Sequence, residues 1–148
     1  MKTFQQLVDE ALQTVPEVFP CDLMVELEQG ARPLLLDVRE PAEFRTLRIA
    51  GSLHVPRGVL EAASEPGYEE TSLRLVQARD EDIVVVCRSG RRSALAARTL
   101  QLLGFKRARS LKLGLRGWND DGGDLVNDTG TISPEIADEV FRPLTAAS

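Results

Sequence analysis

Residues 87–93 read Cys-Arg-Ser-Gly-Arg-Arg-Ser, directly after the apolar run Ile83-Val84-Val85-Val86 and directly before a helix-patterned stretch. This order puts Cys87 at the carboxyl end of a buried strand and at the entry to a helix. A sulfur there faces the positive end of the helix dipole and the N–H groups that a first helical turn leaves without partners. Both favour negative charge on sulfur, and the thiolate is the nucleophilic form of cysteine. Arg88, Arg91 and Arg92 crowd the same loop. The chemistry these residue types suggest is a reactive sulfur with an anion held beside it.

The elements that must position Cys87 follow from the pattern on either side. Ile83 to Val86 are β-branched throughout, as strands covered on both faces prefer. Residues 93–103 carry Leu95, Ala96, Thr99, Leu100 and Leu103 at helical spacing, and Gly104 is a natural stop. Leu34-Leu35-Leu36-Asp37-Val38 has the length of another buried strand, and Pro41 opens a short helix over 42–47. Further strands are expected at 52–56, stopped by Pro56, and at 108–113, with a short helix containing Trp118 beyond. Helices are expected at 57–63 and 69–78, and at 23–28 with Asp22 as cap and Gly30 as end. At the amino end Phe4, Leu7, Val8, Ala11 and Leu12 share one helical face, and Pro16 and Pro20 then mark an extended linker. A last helix is expected from Ser133-Pro134-Glu135, with Ile136, Val140 and Phe141 as packing residues.

Strands alternating with helices imply right-handed crossovers and an α/β fold with a mostly parallel central sheet, flanked by helices on both faces. Ligands of such sheets sit beyond the carboxyl ends of the strands, where Cys87 falls. At 148 residues, 43% hydrophobic and 28% charged, the chain has the composition of one ordinary globular domain. The reading divides it into an N-terminal helical extension (1–19), a core domain (20–126) and a C-terminal helical tail (127–148). A formal charge of −5 argues against nucleic-acid binding. The absence of a long apolar run argues against a membrane partner, and the amino end lacks the apolar core of a signal peptide, so a cytoplasmic location is expected. One histidine, His54, all but excludes a histidine-based metal cluster, and no metal or cofactor is expected. Asn127-Asp128-Thr129 matches a glycosylation sequon and reads as chance.

At this point the chain resembles the rhodanese family of sulfurtransferases in its single-domain form. Leu35-Leu36-Asp37-Val38-Arg39, Glu43-Phe44, and Ile49-Ala50-Gly51-Ser52 with Val55-Pro56 are similar to its amino-terminal signature. Residues 87–93 are similar to its active-site loop, and Leu111-Lys112-Leu113-Gly114 with Trp118 to its carboxyl-terminal signature. Two departures stand out: Leu47 and Arg48 occupy the family's Gly-His positions, and its paired glycines appear here as Leu113-Gly114.

The resemblance implies a double displacement. A cysteine thiolate takes the sulfane sulfur of thiosulfate or another persulfide donor, releasing sulfite in the first case, and passes it from a persulfide to a thiol or cyanide. Protein sulfur acceptors are also compatible with it. In this chain Cys87 would be the nucleophile. The backbone N–H groups of Arg88, Ser89, Gly90, Arg91, Arg92 and Ser93 would cradle the sulfur, with Gly90 free to adopt positive φ and Ser93 capping the helix. The arginines would bond sulfite-like oxygens, with Arg92 favoured for an inward role. Asp37 and Arg39 read as structural support, Arg39 bracing the loop, and Glu43 as a surface or bracing carboxylate.

Blander readings compete. A cysteine after an apolar strand is often inert core, but a core cysteine needs no Gly/Arg/Ser loop behind it. His54 reads as a packed strand histidine, Trp118 as core, and the Lys106, Arg107, Arg109, Lys112 cluster as a solvated edge. Cys21 reads as incidental unless it lies close enough to resolve a persulfide. Phosphatase or arsenate-reductase chemistry would want an arginine six residues after the cysteine, where this chain has Ser93. A non-turnover persulfide carrier or a regulatory binding module is the other alternative.

Overall fold

Alternate residues along the two apolar strands point to opposite sides of one sheet, and both sides are buried. In the computed structural model, which describes residues 1–143, five strands form this sheet: β1 (Glu17–Val18), β2 (Leu34–Asp37), β3 (Leu53–His54), β4 (Ile83–Val86) and β5 (Ala108–Leu111). Their order is β1-β5-β4-β2-β3 and all pair in parallel. Leu34, Leu36, Ile83, Val85 and Cys87 join one apolar cluster, while Leu35, Val84 and Val86 join the other. Helices α4 (Leu60–Ala63), α5 (Leu73–Val76) and α6 (Arg91–Leu102) cover the first face through Leu60, Leu75 and Leu100. Helix α1 (Phe4–Ala11) packs on α6, burying Val8 and Ala11 and leaving Phe4 and Leu7 exposed. Helices α2 (Pro20–Glu28), α7 (Gly114–Asp120) and α8 (Pro134–Phe141) cover the other face through Leu23, Leu115, Trp118, Ala137 and Phe141.

The chain thus has the expected α/β architecture, with several local differences. The stretch between Pro16 and Pro20 is extended, but it is an edge strand, β1, rather than a linker; edge positions tolerate flanking prolines. Helix α2 begins at Pro20, whose fixed φ suits a first helical position, so Asp22 lies in the first turn rather than at the cap. Of residues 52–56 only Leu53 and His54 are strand. A 3₁₀ turn, Arg57–Val59, precedes α4. Of residues 69–78 only Leu73–Val76 is helical, because Ser72 Oγ caps it by accepting from Leu75 N. A hairpin, β6 (Leu125–Asn127) and β7 (Gly130–Ile132), straddles the expected start of the tail at 127, before Ser133 caps α8. Its turn holds the Asn-Asp-Thr triplet, with Asn127 Oδ1 accepting from Thr129 N. The last five residues of the expected tail lie outside the described residues.

One buried ion pair ties β2 to α3 (Pro41–Thr46), the helix that follows it. Arg39 is 1% exposed, and Asp37 accepts from its Nε at 3.0 Å, its Nη2 at 2.8 Å and its backbone N–H at 3.0 Å. The guanidinium also donates to Leu47 O at 2.6 Å and to Glu43 O at 3.4 Å, bracing the end of α3. None of its recorded hydrogen bonds among the described residues reaches residues 87–93, so Arg39 braces α3 rather than the loop. Removing one partner of a buried pair strands the other's charge. Asp37→Asn is expected to lower the unfolding free energy by about 3 kcal/mol in urea titrations.

Candidate active site

β4 ends at Val86, and the chain reaches α6 through four residues, 87–90. Gly90 is the helix N-cap and has φ +93°, a left-handed conformation that glycine adopts without steric penalty. A Cβ there would sit 3.0 Å from Leu113 N and 3.2 Å from Leu111 O, so both conformation and space call for glycine. Because α6 starts at Arg91, Ser93 lies inside the first turn and is not the cap. Its backbone and hydroxyl are thereby turned toward the sulfur.

Cys87 is 1% exposed, and its Sγ accepts from Gly90 N at 3.1 Å and Ser93 N at 3.3 Å. Ser93 Oγ lies 3.3 Å from Sγ and 2.7 Å from the buried Ser110 Oγ. A hydroxyl donates one hydrogen and accepts others, so Ser93 can donate to an anionic sulfur while accepting from Ser110. Of the six amides expected in the cradle, these two meet hydrogen-bond geometry. The loop carbonyls turn the other way: Leu115 N donates to Cys87 O at 2.9 Å and Arg116 N to Arg88 O at 3.1 Å. Those are N-terminal amides of α7, and a Cβ on Gly114 would collide with the same two carbonyls. Leu113, just before it, carries a φ of +65°, strained for a leucine.

The three arginines surround the loop without contacting Sγ. Arg92 makes a two-pronged pair with Glu43, at 2.7 and 2.9 Å, with side chains about one-third exposed. Arg88 Nη2 donates to Phe141 O at the end of α8 at 2.6 Å, and Arg91 Nε donates to Gln5 Oε1 on α1 at 3.0 Å. Ser89 is half-buried in the turn between them. The Arg92 hydrogen bonds hold the Glu43 carboxyl below the usual carboxylate range, against its partial desolvation and with help from Glu40 N–H. Glu43 in turn holds Arg92 above the usual guanidinium range, and the charges of Glu43, Cys87 and Asp37 add to this.

His54 stacks on Phe44, with ring centroids 4.3 Å apart, and its Nε2 lies 2.7 Å from Arg39 O. A carbonyl only accepts, so Nε2 is the protonated nitrogen and His54 acts as a strut. Trp118 is core and donates to Asp124 O. Cys21 is exposed on α2. Among the described residues no three His, Cys, Asp or Glu side chains are grouped to hold a metal, and no helix is long and apolar enough to cross a membrane. Three participants lie outside the expected set: Ser110, the Phe141 carbonyl and Gln5, the last carrying no signal in the sequence. Ser110 is a polar residue in a core strand, a visible signal; the Phe141 carbonyl has none.

The family described as rhodanese-like domain matches residues 22–121. A proposed sulfur carrier protein of Bacillus subtilis is 30% identical over 109 residues, covering 74% of this chain and 54% of that protein. The chain therefore spans about half the length of that curated relative. A sulfurtransferase of Allochromatium vinosum is 31% identical over 98 residues, covering 66% and 81%. Among solved structures, a Rhodopseudomonas palustris protein of unknown function, described as a candidate tyrosine phosphatase, superposes with a TM-score of 0.75. It is 30% identical, and the match covers 83% of this chain and 93% of that one.

The Glu43–Arg92 pair carries a pH signature. A carboxyl held below its ordinary range adds stability above that range, and the contribution is lost as pH falls through the lowered value. For a pair this exposed the contribution is at most about 1 kcal/mol. Wild type is expected to exceed Glu43→Gln by that margin in urea titrations from pH 7 down to about 4.3, and the gap is expected to close at lower pH.

Proposed function

The chain belongs to the rhodanese-like domain family of sulfurtransferases and sulfur carriers, and from that premise we propose that it moves a sulfane sulfur through a persulfide on Cys87, from thiosulfate or another persulfide donor to a thiophilic acceptor. The observation that carries this reading is the pair of amides, Gly90 N and Ser93 N, aimed at a single buried sulfur atom at a helix N-terminus.

In the first step the Cys87 thiolate attacks the sulfane sulfur of thiosulfate. The sulfur–sulfur bond of the donor breaks, and its electron pair leaves with sulfite. In the second step a thiolate or cyanide attacks the outer sulfur of the persulfide, and the pair of the broken bond returns to Cys87. Negative charge stays on sulfur throughout, so the cycle needs fixed donors rather than a proton shuttle. The Gly90 and Ser93 amides provide them without reorganisation, and the Ser93 hydroxyl, which accepts from the neutral thiol, can turn its own hydrogen to the thiolate. Arg88 and Arg91, each bonded to a neutral oxygen, supply a positive potential beside the loop that draws anionic donors, although the whole chain carries −5.

Two other readings have an observation behind them. The relative described as a sulfur carrier favours a domain that loads sulfur but turns over slowly with free acceptors. The structural neighbour described as a candidate phosphatase favours phosphoester hydrolysis. The loop argues for sulfur over phosphorus. A tetrahedral oxyanion needs a ring of donors and an arginine six residues after the cysteine, the position that Ser93 fills here with its hydroxyl at the sulfur.

The test is intact mass before and after thiosulfate under non-reducing conditions. Wild type and Cys21→Ser are expected to gain one sulfur atom that cyanide removes, and Cys87→Ser to gain none. Failure to gain sulfur from thiosulfate and from a polysulfide, or hydrolysis of 4-nitrophenyl phosphate that depends on Cys87, would refute the proposal. Persulfide formation with negligible turnover on cyanide would select the carrier.

A further inference from the structure

A cleft of about 280 Å³ lies between α3 and α8, beside the sulfur loop. Ala42, Glu43 and Thr46 line it from α3, Val140 and Phe141 from α8, and Arg88 from the loop, with Arg39 beneath. Helix α8 lies beyond the residues that match the family, so this wall belongs to the chain's own extension. The helix buries Ala137 and Phe141 but leaves Val140 42% exposed, an apolar side chain that the fold itself does not cover.

The charges of the lining nearly cancel, with one exception. Arg39 is matched by Asp37, and both oxygens of Glu43 are held by Arg92. Among the described residues Arg88 is bonded only to a neutral carbonyl, Phe141 O. A guanidinium has five N–H donors, so most of its capacity is unspent there. The negative end of the α8 dipole offsets only about half a charge. The cleft therefore combines one unmatched cation with walls of Ala42, Val140 and Phe141. Its volume is near the lower limit of small-molecule sites, about 300 Å³.

We propose that this cleft holds the sulfur acceptor, a small organic thiol with one carboxylate: the carboxylate on Arg88, the carbon body against Val140 and Ala42, and the thiol directed to Cys87. The inference rests on the persulfide reading above. The thiolate attacks the outer sulfur of the Cys87 persulfide, a new sulfur–sulfur bond forms on the acceptor, and Cys87 leaves as thiolate. The acceptor's thiol proton goes to solvent, and there is no net oxidation.

The test loads the protein with thiosulfate, removes excess donor, and follows loss of the persulfide with 3-mercaptopropionate, its uncharged counterpart 3-mercaptopropan-1-ol, or cyanide. Comparing variants against wild type for each acceptor cancels differences in thiol reactivity. Val140→Trp fills the cleft from an exposed position. It is expected to slow discharge by 3-mercaptopropionate about tenfold, the loss of one charge-assisted contact, while leaving cyanide unaffected. Ala42→Phe, exposed on the opposite wall, is expected to do the same. Arg88→Gln is expected to erase the preference for the carboxylate thiol over the alcohol. If the persulfide forms and cyanide clears it, but the two cleft-filling variants slow no acceptor or slow all equally, the cleft assignment is overturned and the sulfur reading stands. If no persulfide forms, both fall together.

Discussion

The direction of the peptide groups between Cys87 and Gly90 is the constraint on which the rest of the site depends. With the carbonyls of Cys87 and Arg88 turned out to accept from the first amides of α7, later amides of the turn face inward to Sγ. Each peptide plane is rigid, so the two carbonyls held by α7 fix the planes that carry Arg88 N and Ser89 N. With those planes they fix the course of the turn that brings Gly90 N and Ser93 N to Sγ. That arrangement needs β4 and β5 as sheet neighbours, because α7 follows β5. It also needs two places without a side chain, Gly90 and Gly114, where loop and helix backbones meet. Packing, glycine placement and sulfur chemistry are parts of one requirement.

Charge is arranged around that frame at some local expense. Arg91 and Arg92 stand at the positive end of α6, with no acidic residue in its first turn, where cations are disfavoured. Their partners come from outside the loop: Glu43 on α3, and Gln5 on the N-terminal helix. The C-terminal helix supplies the Phe141 carbonyl to Arg88. A chain of contacts therefore runs from the β2 end through Asp37 and Arg39 to α3, and through Glu43 to Arg92. Both terminal helices reach the sulfur loop in the same way, although neither falls within the residues that match the family.

Much of this was legible in the residues. Continuous apolar runs with β-branched side chains announced β2 and β4 as strands covered on both faces, and the Cys-Arg-Ser-Gly-Arg-Arg-Ser stretch marked a strand-to-helix turn. What was missed follows a pattern. Strand β1 has two residues between prolines and exists because β5 offers it an edge, a tertiary effect that no local window contains. The hairpin of β6 and β7 does carry a local signal, Asn-Asp-Thr-Gly between apolar residues, where the sequence pattern offers only a chance match to a sequon. Serine's preference points Ser93 to the cap, but Gly90 with positive φ takes that position and leaves Ser93 for the sulfur. The partners of the three arginines depend on packing between distant helices, and residue type alone does not select them.

The most direct test is a crystal structure of the thiosulfate-treated protein. The account predicts one added sulfur about 2.05 Å from Cys87 Sγ, enclosed by the turn and within hydrogen-bonding reach of its amides. An unmodified Cys87 beneath a bound tetrahedral anion, or the added sulfur on Cys21 instead, would contradict it.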